Sequence, residues 1–217
     1  MTLNLFDSMA DVELRQERLG PGATVLRQFA VPEETALLSA LDDVIAGAPF
    51  RHMITPGGFR MSVEMTNCGS LGWVTDRTGY RYDPIDPLSG LPWPQIPDVF
   101  LRLATGSAAQ AGFSDFVPNA CLINRYVPGA KMSLHQDKNE QDLDQPVVSV
   151  SLGIPAVFLF GGLNRADKAI RVKLTHGDVV VWGGPARLRY HGILPLKEGH
   201  HPIVGDHRIN LTFRKAA

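Results

Sequence analysis

The sequence has few cysteines, almost no net charge and no long apolar run, and each shortage excludes a class of protein. Two cysteines, Cys68 and Cys121, are too few for a disulfide framework and suit a reducing compartment. A formal net charge of −1 argues against a broad electropositive surface for nucleic acid, although a short local one stays open. No window reaches the roughly 18 apolar residues of a membrane span, and the acidic start does not match a secretory signal. We therefore expect a cytoplasmic protein without a membrane partner.

The length and the hydrophobic content indicate one large domain. A chain of 217 residues with 44% hydrophobic residues can bury a sizeable core. No internal repeat or low-complexity tract divides it. We expect a single domain over residues 1–217 and a monomer.

Short strand-like runs separated by Gly and Pro turns dominate the chain after Ala120. About seven or eight of them are recognised, and this pattern is typical of a sandwich or jelly roll. The runs are Cys121 to Val127, Val147 to Leu152, Ala156 to Phe160, Ile170 to Leu174, Asp178 to Trp182, Leu188 to Ile193 and His207 to Phe213. Before them, helices are predicted after Pro32 and from Pro97 to about Gly112. The fold class predicted is mainly β with flanking helices, and the mouth of such a fold suits a ligand.

The segment Ser133 to Lys138 contains a candidate metal site. His135 and Asp137 stand two residues apart, so in an extended strand both side chains point the same way. With His191 as a third ligand, they would form the two-His, one-carboxylate triad of non-haem Fe(II) oxygenases. An isolated His-x-Asp is common and by itself is more often a pair of polar loop residues. The interpretation of this motif as a metal site therefore depends on the other residues that accompany it in the sequence.

The last strand-like run carries two arginines on one face. Alternation places Arg208, Asn210, Thr212 and Arg214 together, opposite the apolar positions between them. Because a guanidinium is costly to bury unpaired and binds carboxylate as a fork, the pair suits a small dicarboxylate. Asn124 and Tyr126 share a face of an earlier strand and could add neutral hydrogen bonds. The alternative is an exposed edge strand, which a single Arg-x-Asn pattern would favour.

Aromatic residues collect in the loop-rich region 50–94. Trp73, Tyr80 and Tyr82 lie close to Arg77 and Arg81, a combination that can stack on bases. The alternative is that these rings cover the core of a loop-rich lobe. Taken alone, the composition favours this second interpretation.

In combination these motifs are far more specific than any one of them. The chain resembles the AlkB family of Fe(II)- and 2-oxoglutarate-dependent nucleic-acid dealkylases over nearly its whole length. The matching segments are Met53 to Gly58, Met65 to Gly69, Trp73 to Tyr82, Asn124 to Tyr126, His135 to Asp137, His191, and Arg208 to Arg214.

The resemblance implies a double-stranded β-helix, or jelly roll, with an N-terminal helical and lid extension. Residues 1–49 would form a support segment with a helix, residues 50–95 a nucleotide-recognition lid, and residues 115–217 the catalytic core. Fe(II), 2-oxoglutarate and O2 are the implied cofactor and co-substrates.

The resemblance also assigns roles to individual residues. His135, Asp137 and His191 would bind iron. Five residues would hold 2-oxoglutarate: Arg208 on the distal carboxylate, Asn124 and Tyr126 assisting it, and Arg214 with nearby Asn210 at the carboxylate next to the keto group. Six residues would contact the substrate: Trp73 against the flipped base, Tyr80, Arg81 and Tyr82 on the phosphates, Asn139 at the base, and Arg165.

The implied reaction is direct reversal of N-alkylation. Hydroxylation of the alkyl carbon gives an N-hydroxymethyl base, which loses formaldehyde, while 2-oxoglutarate becomes succinate and CO2. N1-methyladenine and N3-methylcytosine pair badly, so flipping them out of the stack costs less. The expected partner is single-stranded or locally opened DNA, with RNA as a second candidate.

Two other hypotheses stay open at this point. An iron oxygenase of this type could act on a small molecule, a protein or a lipid, which the Trp73-to-Tyr82 segment argues against. A jelly-roll binding protein with zinc or no metal is the other, and the intact triad argues against it.

Asn139 departs from the family pattern. The second residue after the metal-binding aspartate is usually acidic there, near the exocyclic amino group of the base. An Asn carbonyl accepts a hydrogen bond but offers no charge to a cationic lesion. The hypothesis is weaker discrimination for cationic lesions, unless Glu140 supplies the charge.

Overall fold

Two antiparallel sheets face each other in the computed structural model, which describes residues 16–217. The larger has eight strands, and each pairs antiparallel with its neighbours. In spatial order they are β1 (Gln16–Gly20), β2 (Ala23–Leu26), β12 (Val179–Trp182), β9 (Val147–Gly153), β14 (Arg208–Arg214), β7 (Ala120–Tyr126), β4 (Arg60–Gly69) and β3 (Arg51–Ile54).

The smaller sheet and a separate hairpin complete the β structure. The four strands of the smaller sheet, in spatial order, are β11 (Ile170–Leu174), β10 (Ala156–Phe160), β13 (His191–Ile193) and β8 (Met132–His135). The hairpin consists of β5 (Gly72–Asp76) and β6 (Gly79–Asp83). Phe158 and Phe160 of the smaller sheet pack with Trp182 of the larger one, so one apolar core lies between the two sheets.

Two helices cover the other face of the larger sheet. They are α1 (Glu34–Gly47) and α2 (Asp98–Gln110). Leu37, Leu41 and Val44 recur at helical spacing and bury one face of α1 in a second core. Phe100 of α2 meets Phe213 of β14 edge-on, with ring centroids 6.1 Å apart. The fold is the predicted one, mainly β with flanking helices and a jelly-roll arrangement of sheets. None of the helices in the described range has the length and apolar character to cross a membrane.

Strand β14 lies in the middle of the larger sheet, between β9 and β7. Ile209, Leu211 and Phe213 face the helices, as the alternation predicts. The polar residues between them line the space between the sheets. The alternative of an exposed edge strand is therefore wrong.

The strand bounds match the sequence pattern closely in two of the predicted runs and less well in a third. Runs 156–160 and 170–174 agree with β10 and β11. The run predicted from Leu188 starts only at His191, because a 3-10 turn at Gly184–Ala186 and its continuation precede it. Strands β5 and β6 were not predicted, since their aromatic and charged residues do not alternate with apolar ones.

The proposed segment boundaries cut across the larger sheet. Strands β1 to β4 belong to it, although they lie outside residues 115–217. Of region 50–95, only the β5–β6 hairpin forms a sheet of its own. The first 15 residues of the predicted support segment 1–49 lie outside the described residues. The division into support, lid and core stays a prediction.

Asp178 ties β2 to the turn before β12. Its carboxylate accepts hydrogen bonds from Arg27 Nη1 at 2.7 Å, from the Gln28 backbone N–H at 2.9 Å and from the Thr175 backbone N–H at 2.9 Å. The side chain is fully buried. This one carboxylate satisfies two backbone donors at a point where two strands turn.

Asp178→Ala should lower the free energy of unfolding by about 3 kcal/mol, because buried donors are left without an acceptor. Urea unfolding followed by fluorescence measures this. Asp115→Ala, at an exposed loop position, is the control and should change it by less than about 0.5 kcal/mol. Equal effects of the two substitutions would contradict the assignment.

Candidate active site

The two predicted histidine ligands meet on neighbouring strands of the smaller sheet. His135 is the last residue of β8, His191 is the first residue of β13, and the two are register partners. Their ring centroids are 4.4 Å apart. Asp137 follows β8 and turns back toward both rings. The pairing explains how residues far apart in sequence reach one site.

The triad has the geometry of a metal site. One ligand atom from each of His135, Asp137 and His191 lies within 4.8 Å of the others. Asp137 Oδ1 is 3.8 Å from His135 Nε2, and Oδ2 is 3.6 Å from His191 Nε2. These distances leave room for one ion between the three side chains.

Backbone carbonyls fix the tautomer of both histidines. His135 Nδ1 lies 2.8 Å from the carbonyl oxygen of Ser133, and His191 Nδ1 lies 3.0 Å from that of Arg189. Because a carbonyl oxygen only accepts, Nδ1 carries the proton in each ring. The Nε2 lone pairs are therefore available to a metal. A hydrogen bond from Nδ1 to a carbonyl oxygen is the usual way in which a protein orients a histidine ligand.

The surroundings keep Asp137 and His191 in their metal-binding protonation states. Burial alone would raise the pKa of Asp137, but Arg214, His191 and His135 hold it well below its usual range. Burial lowers the pKa of His191 to about 4. At neutral pH the site therefore offers an ionised carboxylate and a neutral His191, the forms that ligate metals.

Arg214 supports the carboxylate ligand. Its Nε and Nη2 donate to Asp137 Oδ2 at 3.0 and 2.8 Å. Arg214 also lines the cavity beside the triad. Its predicted contact with a carboxylate of 2-oxoglutarate stays a prediction, because these two donors are used on Asp137.

Arg208 has the character of an anion site. The side chain is only 1% exposed, and burial lowers its pKa. Nη2 donates to Ser151 Oγ at 2.9 Å, while Nε and Nη1 find no partner among residues 16–217. A buried guanidinium with unused donors is unfavourable unless an anion completes it. The cavity shared with the triad therefore fits a carboxylate co-substrate.

The other predicted co-substrate residues line the same cavity. Asn124 Oδ1 is buried without a partner in the described residues, so it has hydrogen-bonding capacity left. Tyr126 packs its ring 5.1 Å from the Arg208 guanidinium carbon. Asn210 is used internally, because its Nδ2 donates to Ser149 Oγ and its Oδ1 accepts from Thr212. Asn210 therefore orders its neighbours, and a direct ligand contact by it stays a prediction.

A larger groove of about 730 Å³ opens from the triad toward the hairpin. Trp73 and Tyr80 stack there, with ring centroids 5.7 Å apart. Trp73 Nε1 donates to Asn139 Oδ1 at 3.4 Å. Arg165 also lines the groove. The groove therefore joins four of the predicted substrate residues to His135 and Asp137.

Arg81 and Tyr82 point elsewhere. Arg81 pairs with Asp76 at 2.8 Å and stays within its own hairpin. The Tyr82 hydroxyl donates to Glu140 Oε1 at 2.6 Å, and burial raises its pKa. These contacts do not support the predicted role of the two residues on phosphates. Sequence reasoning also assigned no role to Arg187 and Ser151, which carry no motif of their own.

Comparison with known proteins agrees with this geometry. The family model described as the 2OG-Fe(II) oxygenase superfamily matches residues 22–214. The alpha-ketoglutarate-dependent dioxygenase AlkB of Escherichia coli (strain K12) is 58% identical over 212 residues, which covers 98% of each chain. The chain belongs to the AlkB family of 2OG-Fe(II) oxygenases.

More distant AlkB-family relatives match in sequence and in structure. The DNA N(6)-methyladenine demethylase ALKBH1C of Arabidopsis thaliana is 32% identical over 171 residues, covering 67% of this chain and 38% of that protein. The solved structure of OsALKBH1 superposes with a TM-score of 0.76 at 30% identity, covering 91% of this chain and all of the other. The chain is thus an Fe(II)- and 2-oxoglutarate-dependent dioxygenase. The triad fits an Fe(II) ion, and the buried Arg208 fits a carboxylate of 2-oxoglutarate.

Asp137→Ala should abolish binding of Mn2+, used as a redox-inert probe for Fe(II), because the only carboxylate of the triad is lost. Titration calorimetry in the absence of co-substrate measures this. Asp144→Ala, an exposed acid on the same loop, should bind Mn2+ like the unmodified protein. Normal Mn2+ affinity in Asp137→Ala would refute the triad.

Arg208→Ala should weaken 2-oxoglutarate binding to the Mn2+-loaded protein by about 10- to 100-fold, since a charge-assisted hydrogen bond contributes roughly 1.5–3 kcal/mol. Oligonucleotide binding should change little. Arg208→Lys keeps the charge but loses the forked pair of donors. Its 2-oxoglutarate affinity should therefore lie between those of the unmodified protein and Arg208→Ala. Equal 2-oxoglutarate affinities in all three proteins would place the co-substrate elsewhere.

Proposed function

We propose that this enzyme removes N-alkyl groups from nucleic-acid bases by oxidative demethylation, with N1-methyladenine and N3-methylcytosine as substrates. The observation that carries the proposal is the groove in which the Trp73–Tyr80 stack opens onto the triad. Aromatic rings beside an oxidation site suit a planar base held in a pocket. The demethylase name of a 32% identical relative also supports it.

The protein's part in the reaction is to position the metal, the co-substrate and the base. Bound Fe(II) with 2-oxoglutarate and O2 supplies the oxidising chemistry that inserts one oxygen atom at the N-alkyl carbon. Arg208 binds a carboxylate of the co-substrate, and His135, Asp137 and His191 hold the metal at the end of the groove. The N-hydroxymethyl base then releases formaldehyde, a step that requires no protein nucleophile.

A local basic rim reconciles nucleic-acid binding with the small net charge. Four exposed basic side chains surround the groove: Arg60, Lys131, Lys138 and Arg165. Such a rim can contact a few phosphates although the chain as a whole has a formal net charge of −1. A short footprint favours single-stranded or locally opened DNA, where the lesion is already unstacked.

We also propose that the protein is a cytoplasmic monomer.

The direct test incubates the protein with a DNA oligonucleotide that carries one N1-methyladenine, together with Fe(II), 2-oxoglutarate and air. Mass spectrometry should show the loss of one CH2 and the release of formaldehyde. Omission of 2-oxoglutarate should prevent both. A matched RNA oligonucleotide tests the second substrate. Co-substrate turnover that no methylated oligonucleotide stimulates would favour a substrate other than nucleic acid.

Trp73→Ala should raise the apparent KM for the methylated oligonucleotide about 5- to 100-fold, because base stacking contributes roughly 1–3 kcal/mol. Steady-state kinetics and a parallel 2-oxoglutarate titration measure the two effects. Trp73→Phe keeps a ring and should retain most of the affinity. Equal losses for oligonucleotide and co-substrate would mark Trp73 as a core residue.

Asn139→Asp should improve the kcat/KM ratio of cationic N1-methyladenine over neutral N1-methylguanine by about two- to fivefold. The gain is small because an exposed charge pair contributes at most about 1 kcal/mol. Glu140 does not replace the missing charge, since it is buried and paired with arginines. An unchanged ratio would mean that residue 139 does not contact the base.

A further inference from the structure

A buried carboxylate outside the metal triad connects three separate parts of the fold. Glu140 is 7% exposed and lies three residues after Asp137. Its Oε2 is 3.1 Å from Arg187 Nη2, and its Oε1 is 3.3 Å from Arg214 Nε. The two arginines are themselves nearly fully buried. Glu140 is thus the common counter-ion of both.

The same two arginines hold the metal ligand at two points. Arg214 donates to the Asp137 carboxylate, and Arg187 Nη1 donates to the Asp137 backbone oxygen at 2.7 Å. Arg187 Nε also donates to the carbonyl oxygen of Gln145 at 2.9 Å, so it closes the loop that follows the ligand. Two positive and two negative side chains therefore balance in one buried cluster around Asp137.

Tyr82 brings the hairpin into this cluster. It lies on β6, and its hydroxyl donates to Glu140 Oε1 at 2.6 Å, the shortest of the Glu140 contacts. This contact is partly buried, whereas the other hydrogen bond from the hairpin to the loop after Asp137, between Trp73 and Asn139, is longer and exposed. A continuous chain of polar contacts thus runs from Tyr82 through Glu140 and Arg214 to Asp137.

Glu140 and Asp137 compete for the same guanidinium. Arg214 Nε lies 3.0 Å from Asp137 Oδ2 and 3.3 Å from Glu140 Oε1. The Tyr82 hydroxyl uses part of the hydrogen-bonding capacity of Glu140 Oε1. Without that donor, Glu140 would attract Arg214 more strongly and draw it away from Asp137, whose carboxylate would then rotate more freely.

We propose that Tyr82 is a positioning residue for the metal site, which makes metal binding depend on how the β5–β6 hairpin is seated. By satisfying Glu140 it keeps Arg214 on Asp137 Oδ2, and so holds the carboxylate with Oδ1 toward His135 and Oδ2 toward His191. This inference rests on the metal site of the proposed function, but not on its substrate. Because coupling free energies are reciprocal, metal binding must also stabilise the hairpin.

The first test is a Mn2+ titration without co-substrate or nucleic acid. Tyr82→Phe should lower Mn2+ affinity about three- to tenfold, less than the roughly 10- to 100-fold typical of groups that touch a ligand directly. The control is Thr75→Val, which removes a buried hairpin hydroxyl that donates to the Ile54 carbonyl at 3.2 Å, away from the cluster. It should leave Mn2+ affinity unchanged. Unchanged or tighter binding in Tyr82→Phe, or equal losses in both variants, would overturn the proposal.

The second test has its deciding result in the unmodified protein, and that result does not depend on how a variant folds. Amide hydrogen exchange in residues 72–83 should slow when Mn2+ is added, and the slowing should be smaller in Tyr82→Phe. If Mn2+ does not change the amide exchange rates of residues 72–83 in the unmodified protein, the proposed coupling is wrong. Neither measurement involves demethylation, so failure of the proposed substrate would leave both results interpretable.

Discussion

The site depends on the burial of charge between the two sheets. Asp137 and Arg214 are each removed from water, and their ion pair offsets much of the cost of burying both charges. The pair keeps the carboxylate ionised and fixes one of its oxygens. Arg208, in contrast, is buried with unused donors. Among the described residues, the protein thus pairs the carboxylate of Asp137 with its own arginine. It leaves two donor atoms of Arg208 unpaired, so a bound anion can accept hydrogen bonds from them.

The β framework makes this arrangement possible. Strand β14 is central, so its apolar positions can pack on the helices while its polar positions enter the space between the sheets. Trp182 and Phe158 press against His191, with ring centroids at 4.8 and 6.1 Å, and limit its rotation. Rigid strands therefore carry two residues of the triad and Arg208, whereas the position of Asp137 depends on buried ion pairs.

Features set by local periodicity could be predicted from the sequence, and those set by tertiary contacts could not. The alternation from Arg208 to Arg214 predicted both faces of β14, because a strand has a fixed period. The prediction that His135 and Asp137 share a site is confirmed for a different reason: β8 ends at His135, and ion pairs turn Asp137 inward. Tyr82 and Glu140 are 58 residues apart, and no pattern in either segment indicates their contact.

The central position of β14 also governs the order in which the fold can be completed. The strands on its two sides, β9 and β7, have no hydrogen bonds to each other. During synthesis both would present open edges until β14, C-terminal to every other strand, emerges and inserts between them. The larger sheet would then close in a late, non-local step, of the kind that slows folding. Because β14 also carries Arg208 and Arg214, a chain without this strand would lack the buried guanidinium of Arg208 and the ion pair that supports Asp137. Catalytic competence would therefore coincide with the end of folding.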